Sequence, residues 1–260
     1  MIESLHSPHI ARVKALISSR GNKERAAHGE FIAEGLQCAR EAFTATQGPS
    51  VKTVYLTESG KNRIDQAGLD LSIAEVVLVS EPVMAAMSST MTPQGIIAIC
   101  AVADNDFAKL KANGKSRFIY LHEIQDPGNA GTILRSADAF AMDAVITSPG
   151  SVDMYSPKVV RSTAGSLWHI PVFESVTIDE VLALGINVFS LGADGSKSLS
   201  QYEMSGDTIA VFGNEARGLS TGQKVDSIEV VSIPMPGNAE SLNLSAAASI
   251  VMYHLSNMRP

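Results

Sequence analysis

Cysteine is almost absent: Cys38 and Cys100 are the only two in 260 residues. Two thiols so far apart form neither a zinc-ligand spacing nor a disulfide framework, so no metal is expected and a reducing cytoplasm is the plain expectation. No apolar run reaches the ~18–20 residues that a membrane-spanning helix needs. The opening stretch MIESLHSPHIARVK has no continuous apolar segment, which argues against a secretory signal. Neither G-x-G-x-x-G nor G-x-x-x-x-G-K-[ST] occurs, so the dinucleotide and P-loop fingerprints are missing. There is no internal repeat and no low-complexity tract. The histidines are scattered, with His122 and His169 readable as polar core or as site residues. Positive charge is also in short supply: 20 Lys and Arg face 27 Asp and Glu, for a net charge of −7.

The remaining composition, 45% apolar and 18% charged, is that of a globular protein long enough for one large or two modest cores. Charge is segregated. Through Gly29 the chain carries Arg12, Lys14, Arg20, Lys23 and Arg25 against only Glu3 and Glu24. A basic arm on an acidic protein suits local phosphate contact, although a solvated, partly helical arm explains it equally well.

Residues 31–103 alternate short strand-like and helix-like pieces. Phe31–Gly35, Val51–Thr57, Val76–Ser80 and Ile96–Val102 read as strands; Leu36–Thr46 and Glu81–Thr90 read as helices, with Pro82 tolerated in a first turn. A polar, lysine-containing stretch from Asp104 to Ser116, with the turn signal Asn113-Gly114, marks a boundary. The expected organisation is therefore a smaller α/β domain over 1–104, a linker over 105–116 and a larger domain over 117–260. In the latter, Phe118–Ile124, Ala144–Ser148, Ile186–Leu191, Thr208–Gly213 and Ile228–Pro234 are continuous apolar runs with helical segments between them. Such runs suit a parallel sheet covered on both faces, as in a doubly wound α/β domain.

Three motifs carry chemistry. The first, DPGNAGTILRSADAF (Asp126–Phe140), follows a strand and opens a helix. Ile133, Leu134, Ala137, Phe140 and Ala141 share one helical face, while Arg135 and Asp138 fall elsewhere and can address a site. Gly128, Asn129 and Gly131 permit a tight turn and close approach. The second, VFGNEARGLS (Val211–Ser220), is a strand ending in Gly213-Asn214-Glu215, and strand C-termini are where ligands bind in open α/β sheets. The third, IPMPGNAESLNLSAAASIVMYHL (Ile233–Leu255), is an irregular loop leading into a helix apolar on nearly every side, capped by Asn243 or Ser241. Taken one at a time, each also reads as an ordinary turn or core helix.

Together and in this order, the motifs resemble the SpoU/TrmH (SPOUT) family of RNA ribose 2′-O-methyltransferases. The resemblance rests on Asn129 with Arg135, on Gly213-Asn214-Glu215 and on Ser241-Leu242-Asn243. It extends to FIAEGLQCAREAF (Phe31–Phe43), TPQGIIAI (Thr92–Ile99) and RSTAGSLWHIPV (Arg161–Val172), and so spans nearly the whole chain. It implies a C-terminal parallel-sheet domain with a deep trefoil knot, an N-terminal RNA-recognition domain and a homodimer. S-adenosylmethionine would sit among loops containing Leu191, Gly192, Gly213, Asn214, Ile233, Met235, Ser241 and Leu242. Arg135, Asn129, Glu215 and Asn243 would form the catalytic set. A guanidinium with a pKa above ~12 is a poor base, so Arg135 is expected to grip a phosphate and stabilise the developing oxyanion, with the other three positioning it or the ribose. The expected substrate is structured RNA, 23S ribosomal RNA ahead of transfer RNA. A doubly wound oxidoreductase and a non-catalytic RNA-binding protein are the alternatives; the missing glycine fingerprint opposes the first and the intact Arg135 the second.

Overall fold

The apolar runs of the second half become parallel strands, three of them (117–121, 144–147 and 208–212) buried throughout and two (187–191 and 229–232) partly, and those of the first half form a separate mixed sheet. The computed structural model describes residues 1–215, 217–219 and 228–258. The first half contains α1 (Pro8–Ile17), α2 (Asn22–His28), β1 (Glu30–Glu34), α3 (Leu36–Thr44), β2 (Ser50–Leu56), α4 (Glu58–Ala67), β3 (Glu75–Leu78), α5 (Glu81–Met87) and β4 (Ile96–Ala101). Then follow β5 (Arg117–Leu121), α6 (Pro127–Ala139), β6 (Ala144–Thr147), α7 (Pro157–Ser162), β7 (Val172–Phe173) and α8 (Ile178–Ala183). The chain continues through β8 (Asn187–Leu191), β9 (Lys197–Ser198), β10 (Thr208–Phe212), β11 (Glu229–Ser232) and α9 (Leu244–Asn257).

Two compact units result: Met1–Asp104 with Asp153–His169, and Asn105–Val152 with the remainder from Ile170. The chain therefore passes between units three times, where the sequence suggested a single linker over 105–116. The first unit has a four-stranded sheet in the order β1-β4-β2-β3, with β4 antiparallel to both neighbours and β3 parallel to β2. Its helix α1 is capped by Ser7, starts at Pro8 and buries Ile10, Val13 and Leu16. These pack with Ile32, Tyr55, Ile97 and Ile99 of the sheet and Val83, Met84 and Met87 of α5. Successive strand residues face opposite sides, so Phe31 meets a different set of partners, Tyr155 (ring centroids 5.1 Å) and Trp168 (5.9 Å). That is why 153–169 belongs to this unit.

The basic N-terminal stretch is thus helical and docked. Arg12 pairs with Glu30 at 2.9 Å and the buried Arg25 with Asp153 at 2.6 Å, so two of its five cations neutralise internal carboxylates. Glu34, nearly buried on β1, accepts from the hydroxyls of Ser88, Ser89 and Thr90 and lies 3.7 Å from Arg161. Burial pushes its carboxyl up, but those hydrogen bonds outweigh burial and hold it below the ordinary glutamate value.

In the second unit all seven strands are parallel, in the order β7-β6-β5-β10-β8-β11-β9. The chain lays β5, β6 and β7 outward, restarts at β8 beyond β5, and later fills the gap with β10. Among the described residues, no helix is long and apolar enough to cross a membrane.

Two sequence expectations need adjustment. The apolar face of α6 stops early: Phe140 is the C-cap and Ala141 turns left-handed (φ +53°), exposed. Helix α9 is not buried all round. Ala248, Val251, Met252 and Leu255 are buried, whereas Ile250 and Tyr253 are 41% and 59% exposed.

Candidate active site

Strand order in the second unit reverses beside β5, and the C-terminal ends of β8, β10 and β11 open there onto one cavity, the usual place for a ligand in an open parallel sheet. Its volume is about 390 Å³, within the range of small-molecule sites. It is lined by Leu191 and Gly192 after β8, by Gly213, Asn214 and Glu215 after β10, and by Ile233 and Met235 after β11. The loop into α9 adds Ser241, Leu242 and Asn243, and the start of α6 adds Asn129. Eleven of the twelve residues singled out from sequence therefore meet around one space.

Capping chemistry sets the polar wall. Asp126 caps α6, accepting from the Asn129 amide at 2.7 Å, and Pro127 occupies the first turn. Asn243 caps α9, its Oδ1 accepting from the backbone of Ser245 (2.9 Å) and Ala246 (3.3 Å). That duty fixes the orientation of the Asn243 amide, leaving Nδ2 to donate to Asn129 Oδ1 at 3.1 Å. Asn129 must in turn present Nδ2, which reaches Glu215 Oε1 at 3.4 Å. Glu215 also accepts from the backbone of Gln125 (3.3 Å) and Asp126 (3.2 Å). A relay of one polarity thus ties the three motifs together across 114 and 86 residues of sequence.

Asn214 is buried, and its amide is used at both ends: Nδ2 donates to the Glu123 carbonyl (2.8 Å), and Oδ1 accepts from the Arg217 amide (3.1 Å). Glycine is required at position 213, where backbone atoms crowd the cavity floor, and fits closely at position 192, where the neighbours are side chains. A Cβ on Gly213 would lie 2.3 Å from the carbonyl carbon of Gly218, and one on Gly192 would lie 2.7 Å from Val230 Cγ1. Backbone amides and carbonyls are therefore presented bare at two of the three loops.

Arg135 stands apart. It is exposed on α6, six residues beyond Asn129, which places it about 240° around the helix and about 9 Å further along it. It does not line the cavity of its own chain. The sequence reading missed Ala193, Phe212, Gly218, Glu240, Leu244 and Ala247, which also line it. Ala193, Phe212, Glu240 and Leu244 are immediate neighbours of expected residues, while Gly218 and Ala247 lie three and four residues from one. Ala216 and Ser220 of the second motif lie outside the described residues.

Residues 116–253 match the SpoU rRNA Methylase family, and residues 10–98 match the MRM3-like substrate binding domain. The Bacillus subtilis 23S rRNA (guanosine(2553)-2′-O)-methyltransferase RlmP is 30% identical over 257 residues, covering 98% of this chain and 99% of that protein. The 23S rRNA (uridine(2479)-2′-O)-methyltransferase of Streptomyces viridochromogenes is 27% identical over 95% of this chain and 88% of its own. Among solved structures, the AdoMet-bound rRNA methyltransferase of Sinorhizobium meliloti superposes with a TM-score of 0.86 at 25% identity, covering 98% of this chain and 97% of that one.

Proposed function

The chain belongs to the SpoU rRNA methylase family, and on that premise we propose that it transfers a methyl group from S-adenosylmethionine to a ribose 2′-hydroxyl of 23S ribosomal RNA. The observation that carries this reading is the convergence of three distant motifs on one cavity, hydrogen-bonded to one another through Asn243, Asn129 and Glu215. The Bacillus subtilis and Streptomyces viridochromogenes relatives bear names that specify 23S ribosomal RNA and the 2′-oxygen, which favours that RNA over transfer RNA.

The cavity suits the cofactor. Leu191, Ile233 and Leu242 offer apolar walls for an adenine, and the bare backbone at Gly192 and Gly213 offers donors and acceptors for its edges and for an amino-acid tail. The bound cofactor supplies an electrophilic methyl on a positively charged sulfur. The protein then has to bring a ribose oxygen into line with that methyl, and alignment of this kind is worth up to roughly 7–11 kcal/mol in the best cases. Asn129 and Asn243, with amide directions already fixed, position the ribose side of the site. Glu215 anchors that pair to the turn before α6. Arg135 grips the neighbouring phosphate with its planar fork and offsets charge growing on the oxygen.

Arg135 performs this role in the site of a second copy. Two observations support that assignment: its distance along α6 from its own cavity, and the exposed apolar face of the neighbouring α9, where Ile250 and Tyr253 lie uncovered. Helices α6 and α9 are themselves bonded through Ser136 and Ser249 (2.8 Å) and through the rings of Phe140 and Tyr253 (5.8 Å). A homodimer burying this face would complete both sites. The same reading includes a trefoil knot in the second unit, supported by the return of β10 between β5 and β8 after both have been laid down. It places RNA recognition in the first unit and the protein in the cytoplasm.

A mixing experiment tests the shared site. Arg135→Ala and Asn243→Ala should each abolish ribose methylation of an unmodified 23S rRNA transcript, with Arg135→Ala retaining cofactor binding. After subunit exchange, a mixed dimer places both defects in one site and leaves the other intact, so activity returns. Confirmed mixed dimers with no activity refute the shared site, and a wild-type protein that leaves the transcript unmethylated refutes the assigned reaction.

A further inference from the structure

One ion pair beside the cavity is held in place by the site's own scaffold yet open to solvent. Arg217 Nη2 lies 2.6 Å from Glu123 Oε2, with the arginine side chain 68% exposed and the glutamate 36%. Both partners are anchored by Asn214, which accepts from the Arg217 amide and donates to the Glu123 carbonyl. Glu123 is further fixed by a hydrogen bond from its amide to Ser148 Oγ (2.7 Å) and by Gln125 Nε2 on its carbonyl (3.0 Å). Its backbone is left-handed (φ +50°), a conformation a non-glycine residue keeps only where its surroundings impose it. The scaffold thus aims a guanidinium outward from the loop that floors the cavity and sets a carboxylate against it.

We propose that Arg217 is a contact for the ribose-phosphate backbone of the substrate, and that Glu123 stands in for a phosphodiester until RNA displaces it. The inference rests on RNA being the substrate. A 2′-hydroxyl and its 3′-phosphodiester occupy adjacent ribose carbons, so a nucleotide presenting its 2′-oxygen to the cavity brings phosphates to its rim. A guanidinium matches carboxylate and phosphate with the same planar fork, which makes the exchange geometrically simple. An exposed ion pair is weak, so little opposes the exchange. In a chain of net charge −7, a cation fixed beside the site matters more than it would on a basic surface.

The test uses full-length protein and an unmodified 23S rRNA transcript, with RNA binding followed between about 50 and 200 mM salt. Cofactor affinity is measured separately by calorimetry. Arg217→Ala should raise the RNA Kd on the order of tenfold, the loss expected for one charged hydrogen-bonded contact. It should also flatten the dependence of log K on log salt by roughly 0.7–0.9, one phosphate's share, with cofactor affinity unchanged. Arg217→Lys should restore the salt slope and only part of the affinity. Glu123→Gln should tighten RNA binding more when Arg217 is present than in the Arg217→Ala background. An Arg217→Ala protein with wild-type RNA affinity and salt slope overturns the proposal. So does one that loses cofactor affinity together with RNA affinity, since Arg217 would then be a strut for the 214–218 loop. Wild-type protein that neither binds nor methylates the transcript would defeat the RNA assignment instead.

Discussion

Gly213→Ala adds one methyl group at the point where β10 passes into the cavity floor, and the structure says what that methyl would strike. Its Cβ would lie 2.3 Å from the carbonyl carbon of Gly218 and 2.6 Å from both the Gly218 oxygen and the Leu219 nitrogen. All three are backbone atoms, so no side chain can swing aside. Reaching ordinary contact, which begins near 3.4 Å, requires the 213–219 turn to open by about 1 Å. The turn is closed by reciprocal backbone hydrogen bonds between Asn214 and Gly218 (2.9 and 2.8 Å), and these would be strained first. Overpacking of this kind costs about 1–3 kcal/mol, and for a chain of this size each kcal/mol lowers Tm by about 2–4 °C. The catalytic loss should be larger than the loss in stability: Asn214 and Glu215 move with the turn, and a 1 Å misplacement costs on the order of 100-fold in rate. Gly237→Ala is the control, because nothing lies within 4 Å of its added Cβ and the residue sits in another loop of the same region. Calorimetric titration with S-adenosylmethionine, thermal melts and single-turnover methylation would be run on both variants. Gly213→Ala with wild-type cofactor affinity and rate, or Gly237→Ala with an equal defect, would refute the steric argument.

Removing residues 1–104 should not yield a clean methyltransferase domain. Segment 153–169 would remain with Tyr155, Val159, Val160 and Trp168 stripped of their cover, each costing about 1.5–3 kcal/mol when bared; a 105–260 fragment that is monodisperse, binds no hydrophobic dye and melts like the full chain would contradict this. Glu34→Gln should destabilise the protein at neutral pH by about 1–3 kcal/mol, since the hydroxyls of Ser88, Ser89 and Thr90 and the Ser89 amide lose their carboxylate. Because the folded pKa of Glu34 is depressed, its stabilisation is complete above the ordinary value of 4.5 and is lost as pH falls through the lower folded value. The stability gap between wild type and Glu34→Gln should therefore narrow below pH 4.5 in urea titrations, and a gap of constant size from neutral to acid pH would count against it.

Local pattern determined much of this protein. Apolar runs such as Phe118–Leu121 and Ile209–Phe212 announced buried parallel strands, because a strand covered on both faces cannot alternate. Asn243, read beside Ser241 as a cap, announced the start of α9, and the motifs with the Leu191-Gly192 loop named eleven of the residues that line the cavity. Helix α4 was invisible because its sequence ESGKNRIDQA buries little beyond Gly60 and Ile64, too few residues to show a period. The two-residue strands β7 and β9 are too short to carry any pattern. Tertiary structure alone decided the rest. It turned the basic N-terminal segment into docked helices, since the partners of Arg12 and Arg25, Glu30 and Asp153, lie 18 and 128 residues away. It transferred 153–169 to the first unit through ring contacts with Phe31. It set the direction of the Asn243–Asn129–Glu215 relay, which depends on which amide end the α9 backbone consumes, and it left Arg135 exposed and outside the lining of its own chain's cavity. Periodicity and capping act over a few residues and can be read along the chain; contacts across a hundred residues depend on strand order and packing, which no local pattern encodes.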